Sequence, residues 1–492
     1  KNNGFMVTFG ENSAMMTDIV DLETFHIGKV KDILTSKIMG IPINSGFVEW
    51  VPPGLRPTIA YPTPIQTSVE FSAALHSKLF KKLCKEHGEK KILNILREDA
   101  EIKGSPILNV LNNFYRKKKK EKSDVEYSYV RGVYSDGLPW SGVLAKADLT
   151  ESKKPWKFHA SFTNHKPHRA QHFIKNFERR HNGKARIVWN GGYILNAELV
   201  GKLGLSKTYI GSPLGLVISN NKVISPPLYN KPAILFQSSG KLEIKRVNCS
   251  KGITISHNNQ TFKLTKKQYN QKKPGNNPCY YDLLYKENII KGDGRIIYRL
   301  AGNTIKEIIK TKKGENVSII PIGLTISFPK NKSPNNWKIR SDISIIIIEF
   351  EKTMHAIEAG PMLLKNGKIA IDMKKEGWTT NNSIKTQAAR IDFIDMRGPK
   401  IAIGFDNKGD LFVLVINGRI RESVGATHNN IAQILLKHNI VHAMGFDPGG
   451  SSTLVVDGKN LNISPYNHNF ELDPYSLPPE ARPISSVFIG WQ

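Results

Sequence analysis

The sequence predicts an α+β fold: a mixed, largely antiparallel sheet flanked by helices, behind a small N-terminal region of helices and irregular structure. Three observations predict it. Apolar, β-branched runs of strand length recur, among them Val441 to Phe446, Thr453 to Val456, Ile343 to Phe350 and Ile401 to Ile416. Two segments, Pro167 to Arg180 and the one opened by Thr427, place apolar residues at helical spacing instead. Residues before about 122 carry helical periodicity and Pro-Gly punctuation.

Length and composition bound the rest. A chain of 492 residues exceeds the usual single core, so two or three domains are expected. Hydrophobic residues make up 39%, mean hydropathy is −0.33, and no apolar run reaches the 18 residues of a membrane span. The net charge of +29 implies attraction to polyanions. Phosphorylated glycans, anionic membranes and nucleic acid all meet that description, but no nucleic-acid motif is present, which makes nucleic acid the lesser reading. Cys84, Cys249 and Cys279 form no CxxC pair; free thiols are expected, with a Cys249–Cys279 bridge as the alternative in an exported protein. The chain opens at Lys1 with no signal-like apolar core, so it reads as a processed or truncated product and its terminus gives no localisation.

In chain order, residues 1 to about 65 are expected to be irregular and extended. Ser68 to about Asp99 reads as two helices hinged at His87-Gly88. The run Arg116 to Lys122 reads as a solvated basic linker, and the domain boundary is placed there, giving 1–122 and 123–492. Ser141 to Leu149 alternates as a strand. The helix from Pro167 carries Phe173, Ile174 and Phe177 on its apolar face, with His168 and His172 at the i, i+4 spacing that holds a metal when a third ligand exists; none is identified. That helix leads through Asn182-Gly183 into the strand Ala185 to Asn190. Residues 228–335, rich in Lys and Asn, are expected to be an insertion of short strands and long loops. Ile343 to Phe350 is expected to be a central strand buried on both faces. Ile401 to Ile416 reads as a hairpin turning at Asp406-Asn407-Lys408-Gly409, and a helix capped by Thr427 ends at Asn439.

Four strand ends close on glycine: Asn190-Gly191-Gly192-Tyr193, Glu358-Ala359-Gly360-Pro361-Met362-Leu363-Leu364, Pro399-Lys400-Ile401-Ala402-Ile403-Gly404-Phe405-Asp406, and Asp447-Pro448-Gly449-Gly450-Ser451-Ser452-Thr453-Leu454-Val455-Val456. Adjacent glycines bring backbone N–H groups close to a ligand, and a carboxylate at a strand end is placed for chemistry. A plain tight turn is the rival reading of each.

These motifs in this order, followed by Ala481-Arg482-Pro483, resemble the phosphodiester glycosidase family over roughly Val125 to Trp491. The resemblance implies removal of a sugar from a phosphodiester, with a phosphorylated glycan or glycoconjugate as substrate, and favours an extracytoplasmic location. Asp447 is the foremost catalytic candidate, Glu358 the second and Asp406 the reserve. Asn190, Gly191, Gly192, Lys400, Gly449, Gly450, Ser451 and Arg482 are the candidates for holding sugar hydroxyls or phosphate. No cofactor is required, and a divalent cation is compatible. The chain departs from the family pattern at Lys400, where Arg is usual, and at Pro448, which removes an N–H donor; Arg390 and Arg397 are candidates to compensate. A noncatalytic polyanion-binding protein on the same fold and a phosphodiesterase cleaving P–O are the rival functions.

Overall fold

The computed structural model describes residues 84–92, 94, 125–152, 154–163, 167–320, 322–378, 397–418, 423–462 and 483–492, with a strand pair formed by Phe5–Phe9 and Ser13–Thr17. The chain forms two compact units, one of Lys1–Ser152, Ile394–Asn439 and Pro448–Pro483, the other of Lys153–Phe393, Ile440–Asp447 and Ile484–Gln492. This division interleaves the chain rather than cutting it once at 122. The helices at 84–87 and 89–92 do break at Gly88, whose φ of 86° needs a residue without a Cβ.

Among the described strands, every pairing within a unit is antiparallel. In the first unit Lys400–Asp406 pairs with Leu411–Ile416, that strand with Pro139–Ala147, and that in turn with Val125–Val133. The Lys400–Asp406 strand is apolar and buried along almost its whole length, as the β-branched sequence requires. Thr427 caps the helix His428–Lys437: its hydroxyl accepts from Asn430 N–H while the Asn430 side chain accepts from Thr427 N–H, and Asn439 leaves it at φ 61°.

The second unit holds a five-stranded sheet ordered Lys222–Ser225, Val217–Ser219, Thr353–Glu358, Pro232–Gln237, Leu242–Arg246. Its apolar core joins Leu216, Ile218, Ala233, Leu235 and Ala356 to Ile253, Tyr298, Ile326 and Phe328 of the neighbouring sheets. The amphipathic helix Ala170–His181 buries Phe173, Ile174 and Phe177, and Asn182 ends it in the left-handed region. Helices of ten or more residues are few among the described residues, so the fold is sheet-rich, with less helical flanking than the sequence led us to expect.

One expectation fails here. Ile343 to Phe350 is not a central strand: only Ser344–Ile347 is extended, on the edge of a three-stranded sheet, with alternating burial that leaves Ile346 45% exposed. The run ends in a turn of 3₁₀ helix, Ile348–Phe350. Within the stretch 228–335, Pro232–Gln237 pairs directly with Thr353–Glu358.

Candidate active site

In the second unit, two strand ends meet. Ala185–Asn190 stops where the Asn190 amide Nδ2 donates to the Asp447 carbonyl at 2.9 Å, and Asp447 N–H returns a longer bond of 3.4 Å to Gly191 O. Asn190 is fully buried, so its amide is held to this one geometry. Gly192 is required by packing: a Cβ there would collide with the carbonyl oxygen of Glu358. The amide of Gly191 is already bonded to Ser486 O at 2.7 Å, so it is not a donor for a ligand.

Glu358 ends the middle strand of the five-stranded sheet and is 1% exposed. Its Oε2 accepts from Leu216 N–H at 2.7 Å and Leu228 N–H at 3.0 Å. Burial pushes this carboxyl well above the usual range, opposed by the charge of Lys231 and by the two amide bonds. Asp447, at 8% exposure, is the more accessible carboxylate.

Tyr193 links the two. Its hydroxyl donates to Gly360 O at 3.1 Å, and burial, followed by the negative charges of Asp447, Glu376 and Glu358, holds it well above its ordinary pKa. Three acidic residues thus act on one phenol through their charge. Glu376 is neutralised in place: Oε1 accepts from Arg246 Nη2 at 2.7 Å, Arg246 Nε at 3.0 Å and Met362 N–H at 3.0 Å, and Oε2 from Trp378 Nε1 at 2.9 Å. Lys231, Glu376 and Trp378 are the residues that sequence reading missed. Lys231 stood at the head of the supposed insertion, and its only sequence signal is a cation between Tyr229 and a proline that opens a strand.

The first unit holds the remaining described candidates. Pro448 opens a 3₁₀ turn, Gly449–Ser451; Gly449 takes φ 70° and gives its N–H to Pro399 O at 2.8 Å, which sets this turn beside Lys400. Lys400 and Ser451 are buried, and His428 lies near by: burial first, then the Lys400 charge, hold its imidazole well below the ordinary range. With the Gly449 amide engaged, Gly450 is the remaining glycine donor of the pair. Asp406 is at the other end of the seven-residue strand from Lys400, about 20 Å away at the usual rise per residue. Its Oδ1 accepts from Lys408 and Asp410 N–H at 2.9 and 3.0 Å, the work of a turn residue. Arg397 is paired with Asp136 at 2.7 Å over the Tyr134 ring and so is no substitute phosphate ligand. Arg390 and Arg482 lie outside the described residues.

His168 and His172 stack at 3.8 Å between ring centroids, and no metal-binding group of three or more ligands occurs among the described residues. Cys249 and Cys279 are free and buried, so the alternative bridge is absent. A cavity of about 540 Å³ lined by Ile218, Val223, Ile343 and Phe350 includes none of the candidate residues. Sheet-edge packing explains it better than catalysis does.

The buried acidic residues whose charges reach Tyr193, Glu358 among them with its carboxylate held by backbone amides, make up the candidate site. Residues 251–489 match the family described as phosphodiester glycosidase, a shorter span than the motifs indicated and one that leaves out Asn190 and Lys231. The chain is 31% identical over 106 residues to N-acetylglucosamine-1-phosphodiester alpha-N-acetylglucosaminidase of Bos taurus, a stretch covering 22% of this chain and 19% of that protein. The aligned part therefore spans about a fifth of that relative's length. Among solved structures, a hypothetical protein from Synechocystis superposes with a TM-score of 0.45 at 17% identity, covering 75% of this chain and 62% of that one. The zebrafish N-acetylglucosamine-1-phosphodiester alpha-N-acetylglucosaminidase catalytic domain, auto-inhibited by its pro-peptide, gives 0.41 at 15% identity over 76% of this chain and 85% of that one. No helix among the described residues is long and apolar enough to cross a membrane.

Proposed function

We propose that this chain is a hydrolase that cleaves the glycosidic bond of a sugar-1-phosphodiester, releasing a free sugar and a phosphomonoester. The observation that carries the proposal is the hydrogen-bonded junction of Asn190 with Asp447, together with a buried Glu358 whose carboxyl is pushed up by burial against the opposing charge of Lys231. Glycoside hydrolysis asks for that division: one carboxyl keeps a proton for the leaving group while another, ionised, serves the anomeric carbon or its water. Asp447 takes the second role and Glu358 the first. Asn190 and Gly191 hold the Asp447 backbone; in the first unit, Lys400, Gly450, Ser451 and Arg482 are proposed to hold polar groups of a ligand.

The family match and the partial relatives support the reaction class; the substrate assigned here is our own reading. Asp447→Asn keeps the shape and removes the charge. Its kcat on synthetic sugar phosphodiesters is expected to fall by roughly 10² to 10⁴ with the melting temperature held. Undiminished release of free sugar would remove Asp447 from the mechanism. The net charge of +29 favours a second reading, a noncatalytic polyanion binder, which predicts salt-sensitive binding to phosphoglycan without turnover.

A further inference from the structure

Lys231 is a charged side chain 2% exposed, which calls for an explanation. Its placement follows from strand register. Ala233 pairs with Glu358, and Pro232 O accepts from Ala359 N–H at 3.0 Å, so the two chains run side by side up to this point. Lys231 lies two residues before Ala233 and therefore shares the face that Glu358 occupies, as its diagonal neighbour across the pair. Val247 N–H bonds Lys231 O at 2.9 Å and fixes that backbone.

The ammonium makes no hydrogen bond or ion pair with a described residue. It lies over the Trp378 ring at 3.8 Å from the centroid, with Tyr193 and Tyr229 at 5.3 and 5.5 Å. Both neighbouring carboxylates are turned to other donors, Glu358 to Leu216 and Leu228, Glu376 to Arg246, Met362 and Trp378. The packing leaves no slack: a Cβ on Gly215 would stand 3.0 Å from Glu358 Cδ, and one on Gly377 would run into Tyr229. Arg246 already pairs with Glu376, and among the described residues the positive charge that opposes the upward shift of Glu358 is that of Lys231.

We propose that Lys231 is a positioning residue that acts on Glu358 through its charge, keeping the carboxyl proton exchangeable instead of locked in place by burial. The proposal rests on the reading of Glu358 as the acid of the site. The other groups facing this pair are Glu376 with Arg246, Tyr193 with Asp447 behind it, Tyr229, and the buried thiol of Cys249. Burial drives Glu358 up and Lys231 down, and each group's charge opposes the shift of the other. An aromatic cage serves this arrangement better than a hydrogen-bonded ion pair would, because it holds the positive charge in place without clamping the carboxyl oxygens.

Infrared titration of the carboxyl band, assigned by its loss in Glu358→Gln, reads the coupling without any substrate. Lys231→Met is expected to move the Glu358 midpoint upward by about one pH unit or more, and Lys231→Arg by less than about half a unit. The acid-group limb of the kcat/KM profile should follow the same shifts. An unmoved midpoint in Lys231→Met overturns the proposal. Should that variant not fold, the mirror test is Glu358→Gln, in which the Lys231 Nζ titration, followed by ¹⁵N NMR, should drop by about a unit or more; no drop overturns it equally. A chain with no turnover on any sugar phosphodiester would defeat the functional reading while leaving this coupling measured.

Discussion

At the residue scale, the candidates separate by what their polar atoms already do. Asn190 donates to the Asp447 carbonyl from a fully buried position. Asn190→Ala strands that carbonyl, and the expected cost is about 1–3 kcal/mol in a denaturant titration, with kcat lowered as the loop loses its anchor. Asp406 is the contrast. Its carboxylate closes the turn after Lys400–Asp406, so Asp406→Ala should lower stability by about 1 kcal/mol and leave kcat within about two-fold. The sequence placed a carboxylate at each of these strand ends but could not show which had its oxygens engaged in the turn. Lys231 was illegible for a related reason: a lysine reads as surface until the register of two distant strands makes it the diagonal neighbour of a glutamate.

At the element scale, turn and cap chemistry carried over well because it is local. The Thr427 cap, the αL Asn182 and Asn439, and the hairpin after Lys400–Asp406 all follow from residues within four positions of one another. Thr427→Ala tests the cap: the helix His428–Lys437 should lose about 1 kcal/mol, seen as a lower urea midpoint at unchanged slope. Non-local features did not carry over. A run such as Ile343 to Phe350 is β-prone on any strand, and only its partners decide whether it is central or, as found, an edge with alternating burial. The same limit hid the pairing of Pro232–Gln237 with Thr353–Glu358, strands more than a hundred residues apart.

At the scale of the molecule, a histidine cluster ties the stability of the second unit to pH. His159, His181 and His355 pack ring to ring there, with centroids 4.8 and 4.6 Å from His159. Burial, then neighbouring positive charge, holds His159 at about 4 and His355 at about 3, below the ordinary 6.5. The unfolded chain takes up protons near pH 6.5 where the folded one does not. Stability is therefore complete above pH 6.5 and declines as pH falls toward 3, by roughly 1.4 kcal/mol per unit per group at most. The melting temperature should drop by several degrees from pH 7 to pH 5, and His355→Gln should flatten that slope; parallel slopes would remove the cluster from the account. The central claim, however, concerns which bond breaks. Hydrolysis of a synthetic sugar-1-phosphodiester in ¹⁸O-labelled water decides it: the account predicts label on the anomeric hydroxyl of the released sugar, and label in the phosphate would contradict it.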